Sequence, residues 1–159
     1  MLAMPLASFV PGASASHITQ YAVQRDPSDI AVGDLDCDGD NDIVSASAMG
    51  HFITTLYNDG SGGFADRQDV FISNNNSQRA GFVDTANGVD VEVGDINGDG
   101  TNDIIYYQEN IRFVGETFVR PGNLTVLWGD CNGAVNTWSD TAITISNPYH
   151  ISMEVGDIN

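Results

Sequence analysis

The sequence predicts an all-β chain built from repeated antiparallel units. Three observations predict it. An Asp-rich nine-residue stretch occurs twice and begins a third time, with Asp95 following Asp34 by 61 residues and Asp157 following Asp95 by 62. Spacing of this order marks repeated supersecondary units. Both full copies sit between short β-branched runs, Ile30-Ala31-Val32-Gly33 with Ile43-Val44, and Val91-Glu92-Val93-Gly94 with Ile104-Ile105. Such runs favour a pleated, half-buried strand over a helix. Finally, two further β-prone runs follow each copy, joined by the turn residues Asn58-Asp59-Gly60-Ser61-Gly62-Gly63 and Gly129-Asp130-Cys131-Asn132-Gly133.

In chain order, residues 1–15 are short and apolar and end in Ala13-Ser14-Ala15, a small-x-small pattern. They are expected to be the remnant of a secretory signal cleaved after Ala15. Residues 16–28 hold a strand over 17–23, which Pro27 ends. The first unit covers 29–88, with strands near 29–34, 42–48, 51–57 and 64–72. The second covers 89–150, with strands near 89–95, 103–108, 123–129 and 135–145. Residues 151–159 open a third unit with one strand. Four antiparallel strands per unit is one blade of a β-propeller. The expected fold is therefore a partial propeller of two blades and the first strand of a third.

The nine-residue stretch carries the chemistry. The copies read Asp34-Leu35-Asp36-Cys37-Asp38-Gly39-Asp40-Asn41-Asp42 and Asp95-Ile96-Asn97-Gly98-Asp99-Gly100-Thr101-Asn102-Asp103. Oxygen donors at alternate positions converge when the loop curls, and glycine permits the curl. Hard oxygens in a flexible loop suit Ca²⁺. An EF-hand is excluded, because the twelfth residues are Ser45 and Tyr106 rather than Glu, and the flanks are strands. The expected ligands are Asp34, Asp36, Asp38 and Asp42 with the carbonyl of Asp40. In the second loop they are Asp95, Asn97, Asp99 and Asp103 with the carbonyl of Thr101. About two Ca²⁺ per chain follow. The alternative for one copy is an Asp/Gly-rich turn without metal; two copies in the same strand context weigh against it.

Charge points the same way. The chain has 22 acidic residues, no Lys and five Arg, for a net charge of −17. That balance argues against nucleic acid or an anionic membrane surface as a partner. Cys37 and Cys131 have no metal-binding spacing, and whether they pair is left open. His17, His51 and His150 stand apart and read as structural. No nucleophile–base set is recognisable, and the chain is read as non-enzymatic.

These loops, with Val-Gly before them and Ile-Val or Ile-Ile after, resemble the FG-GAP/VCBS repeats of integrin-α-like β-propellers. Leu56-Tyr57-Asn58, Leu127-Trp128-Gly129 and Gly63-Phe64 add to the resemblance, which covers residues 29–159. It implies Ca²⁺ between the first two strands of each blade and a role in adhesion or ligand binding by a secreted or cell-surface protein. The alternative is the propeller portion of a secreted enzyme of polysaccharide lyase or phospholipase type, with its catalytic residues elsewhere.

Aligning the units exposes two insertions, around Asn74–Gly88 and Glu109–Gly122. Both are expected on the face opposite the Asp-rich loops. Loops on a rigid scaffold commonly carry recognition, so a protein or glycan is the expected partner there, near Arg79, Arg112, Arg120, Phe82, Phe113 and Phe118.

Overall fold

The computed structural model describes residues 19–48, 51–72, 89–109, 112–114, 117–119, 121–133, 137–144 and 152–156. They form an all-β structure with two four-stranded antiparallel sheets. The first contains β1 (Pro27–Gly33), β2 (Asp42–Ser47), β3 (Phe52–Tyr57) and β4 (Asp66–Phe71), in that spatial order. The second contains β5 (Val89–Gly94), β6 (Asp103–Glu109), β9 (Pro121–Trp128) and β10 (Thr137–Thr144), also as a meander. Each of these eight strands matches an expected one within about three residues. Alternation accounts for this. In β1 Ala31 is buried while its neighbours Ile30 and Val32 are exposed, the period-2 pattern of a sheet.

The two sheets share one apolar core. Ala31, Val44, Ala46 and Ile53 of the first sheet cluster with Val91, Ile104, Tyr106 and Leu127 of the second. Tyr106, the largest fully buried side chain among the described residues, lies in this core. Val91, 61 residues after Ile30, is 1% exposed, whereas Ile30 is 64% exposed. The second sheet is thus covered on a face that the first sheet leaves open at Ile30 and Val32.

The sheets meet along their first strands through one bond that recurs. The Val91 amide of β5 donates to Asp29 Oδ2 of β1 at 2.9 Å. The Met153 amide in turn donates to Asp90 Oδ2 of β5. The glycine before each Asp-rich loop belongs to the same joint. A Cβ on Gly33 would run into the Val93 side chain, and one on Gly94 would lie 2.8 Å from Val155 Cγ1. Glycine is needed there for close approach between neighbouring strands.

The structure departs from expectation in three places. The segment expected as a strand over 17–23 is described from residue 19, and residues 19–24 are not a strand. Single contacts tie it down: the Gln24 amide to Thr54 Oγ1, Gln24 Nε2 to Asp69, and Arg67 Nη1 to the Ala22 carbonyl. Residues 152–156 lie along β5 but also form no strand ladder: the Met153 amide goes to the Asp90 carboxylate, and no strand among the described residues pairs with them. Third, the ten extra residues between β6 and β9 are not simply a loop. They contain a hairpin of β7 (Arg112–Val114) and β8 (Thr117–Val119), with Phe113 opposite Phe118 in register. The β-prone Phe113-Val114 and Phe118-Val119 on either side of Gly115 suit such a hairpin, and pairing the strands satisfies the backbone of the excursion. The expected signal segment 1–15, the insertion over 74–88, Arg79, Phe82 and Arg120 fall outside the described residues.

Candidate metal centre

Both Asp-rich loops leave the end of a first strand and return as a second strand. They share one hydrogen-bond pattern. The amide at position six donates to the first Asp: Gly39 to Asp34 Oδ2 at 3.1 Å, and Gly100 to Asp95 Oδ2 at 2.9 Å. Position five donates back to position three, Asp38 to Asp36 and Asp99 to Asn97. Position seven donates back to position five, Asp40 to Asp38 and Thr101 to Asp99. Short polar side chains that bond the backbone two residues on favour turns over strand or helix. Two left-handed positions complete the curl: Cys37 and Gly39 with φ of 63° and 97°, and Gly98 and Gly100 with 75° and 90°.

The last Asp of each loop has a second role that alternation alone did not reveal. Asp42 is fully buried; its Oδ2 accepts the Leu35 amide and its Oδ1 the Asn58 amide, both at 2.9 Å. Asp103 is also fully buried and accepts the Ile96 and Gly129 amides at 3.1 and 3.0 Å. Each therefore ties the start of its loop to the turn after the third strand of its sheet. The Asn at position eight was missed as well. Asn102 Nδ2 donates to the Asp34 carbonyl at 2.8 Å, joining the two loops. The signal was there, since Asn41 and Asn102 occupy the same position in both copies.

In the first loop the structure brings together Asp34, Asp36 and Asp42, with one oxygen of each within 4.8 Å of the others. Asp34 Oδ1 is buried without a hydrogen-bond partner. A buried anionic oxygen lacking a donor is costly, and a cation would satisfy it. Burial, and then the charges of Asp42, Asp38 and Asp34, push the Asp36 carboxyl up, against a lowering bond from the Asp38 amide. The donors are all hard oxygens, as Ca²⁺ prefers. Asp38 is exposed and turned to the Asp40 amide, and the Asp40 side chain leans toward Gly60. Neither side chain joins the cluster, so Asp38, expected as a side-chain donor, lies outside it.

The second loop is arranged differently. Asp95 is satisfied by three amides, those of Gly98, Asp99 and Gly100. Asn97 Nδ2 donates to Asp99 at 2.7 Å, and Thr101 Oγ1 donates to Asp99 at 2.5 Å. Hydrogen bonds from the Thr101 hydroxyl and amide hold the Asp99 carboxyl below its usual range. With Asn in place of Asp at position three, fewer charges repel one another. The loop closes on its own amides.

A second acidic row was not foreseen. Asp29, Asp90, Glu92 and Glu154 follow the joint between the first strands. Burial first, then a hydrogen bond with the Asp29 carboxyl and its charge, push the Asp90 carboxyl up. Burial and the charges of Asp90, Asp29 and Glu154 do the same to Glu92. A raised native pKa means that the folded chain binds the proton more tightly than the unfolded chain. The destabilisation is then present in full above the raised value and vanishes below the ordinary carboxyl pKa. Glu92→Gln should therefore raise the melting temperature at pH 7 and leave it unchanged at pH ~3. Equal shifts at both pH values would show that the effect is not titration of this row.

Cys37 and Cys131 form a disulfide, with Cα atoms 5.0 Å apart, within the span such a bridge covers. It links the first Asp-rich loop to the turn between β9 and β10, so that loop and turn emerge at the same end. Beside it lies an open polar hollow of about 410 Å³ lined by Asp36, Tyr57, Arg67, Gln68 and Asn132, among others. Tyr57 donates to the Gly133 carbonyl across the sheets. Burial, then the charges of Asp42 and Asp36, push its hydroxyl up to about 12. Arg67 is committed to Asp69 and the Ala22 carbonyl. His51, read as structural, is buried with Nδ1 2.6 Å from Gln108 Nε2.

Comparison with protein-family models, with curated proteins and with solved structures finds no match.

Proposed function

We propose that the chain is a calcium-stabilised segment of a β-propeller, its two sheets being adjacent blades, of the FG-GAP/VCBS kind and belonging to a secreted or cell-surface protein. The observation that carries the reading is the convergence of Asp34, Asp36 and Asp42 around the unpartnered Asp34 Oδ1. Asp38, outside the cluster of three, and the Asp40 carbonyl would complete the first donor set once drawn to the ion. Asp95, Asn97, Asp99, Asp103 and the Thr101 carbonyl form the second. A bound Ca²⁺ would supply charge compensation and cross-linking within a loop rather than a reaction. The disulfide is compatible with an extracellular setting. The end opposite the Asp-rich loops, with the β7–β8 hairpin, is the proposed surface for a protein or glycan in adhesion or ligand binding. The enzyme reading stands second; no observation favours it.

The two sites should differ. The first loop offers four carboxylates in its donor set, the second three, and calcium affinity follows ligand charge. Titration calorimetry should resolve two Ca²⁺ per chain, the tighter lost in Asp36→Ala and the weaker in Asp99→Ala. Asp140→Ala should lose neither. Saturation to a hundredfold over Kd should stabilise the fold by about 3 kcal/mol per site, reversed by EDTA. No heat of binding and no EDTA effect on melting would defeat the proposal.

A further inference from the structure

We infer that the Cys37–Cys131 disulfide is a reducible clamp on the first Asp-rich loop, so that the cation affinity of this loop, and not of the second, depends on thiol oxidation state. The inference rests on the reading of the loops as Ca²⁺ sites. Three observations point to it.

Cys37 is the fourth residue of the loop, between Asp36 and Asp38, so the bridge is anchored inside the donor set. The second loop has Gly98 at this position and no bridge. Both cysteines also hold left-handed backbone, with φ of 63° at Cys37 and 56° at Cys131. The matching residues of the other sheet are glycines with the same conformation: Gly98 for Cys37 at 75°, and Gly60 for Cys131 at 73°. An L-residue leaves this region readily unless something holds it. Here the covalent bond holds each cysteine where a glycine would rest unaided. Third, Cys37 is exposed and Cys131 half-buried, so a thiolate in solution can reach the bridge.

Reduction is a two-electron step. A dithiol attacks one sulfur, forms a mixed disulfide, and leaves as its own cyclic disulfide. The protein gains two electrons and two protons as two thiols. Once freed, Cys37 can relax out of the left-handed region. The carboxylates on either side of it swing with the backbone, and Asp36 leaves the cluster with Asp34 and Asp42. The second loop, closed on its own amides, is untouched.

The test is Ca²⁺ calorimetry on the full chain, oxidised and after treatment with a dithiol, in the wild type and in Asp99→Ala, which isolates the first loop. Reduction should weaken the first site roughly tenfold and leave the second unchanged. Cys37→Gly with Cys131→Gly installs the residues of the other sheet at both positions. It should keep the first site and lose the redox response. Cys37→Ala with Cys131→Ala should behave like the reduced chain. Hydrogen exchange without metal gives an independent reading: on reduction, amides of 34–42 should exchange faster while those of 95–103 do not. Identical affinities in both redox states overturn the clamp while leaving the calcium reading intact. Equal weakening of both sites also overturns it, by showing general loosening. Absence of Ca²⁺ binding in either state overturns the calcium reading and this coupling with it.

Discussion

Replacing Asp103 by Ala is expected to lower the unfolding free energy by about 2–5 kcal/mol, with or without calcium. The side chain is fully buried and accepts the Ile96 and Gly129 amides. Its removal leaves two donors facing a void, and an unsatisfied buried amide costs about 1–3 kcal/mol. Asp42→Ala should behave alike through Leu35 and Asn58. Asp38→Ala should cost little in the metal-free chain, because that residue is exposed. Denaturant unfolding in EDTA separates the roles: if Asp42, Asp103 and Asp38 variants unfold together there, the buried aspartates act as ligands only and the anchor assigned to them is wrong.

The second large effect is expected from the disulfide. Cys37 and Cys131 are separated by 94 residues in sequence. In the chain-entropy treatment, closing a loop of that length restricts the unfolded chain by about 4–5 kcal/mol. Native domains are stable by about 5–15 kcal/mol in total, so reduction should remove a large part of the margin. The midpoint in urea should fall strongly on adding a dithiol. Cys37→Gly with Cys131→Gly should show the lower midpoint with no response to reductant. Coincident curves for oxidised and reduced protein would show that the bridge adds nothing to stability.

The strands were legible because each is short, β-branched and bounded by Gly, Asn or Asp, and because two copies of one pattern constrain each other. The loops were legible for the same reason. Less could be read where one residue type serves two purposes. Asp42 and Asp103 look like donors by spacing, and only burial reveals that they also anchor backbone amides. Gly33 and Gly94 look like strand ends, whereas close approach of Val93 and Val155 requires them. Asp29 and Asp90 lie 61 residues apart, as the loops do, but a lone Asp in a strand gives no hint of an amide received from the segment packed beside it. The pairing of Cys37 with Cys131 depends on the second sheet lying beside the first, a long-range fact invisible in local pattern. The β7–β8 hairpin was hidden because three-residue strands are too short to show periodicity.

The bond from the Val91 amide to Asp29, repeated from the Met153 amide to Asp90, gives the joint a direction. A first strand receives the next segment's amide at its carboxylate on one side, and β5 gives its own amide to the preceding strand on the other, like an eye followed by a hook. Asp90 and Val91 show that one strand carries both halves. A strand that carries both halves fits a neighbour on either side without a separate adaptor. The same two-sided fit lets a difference such as cysteine at 37 and 131, where the other sheet has Gly98 and Gly60, stay confined to one joint.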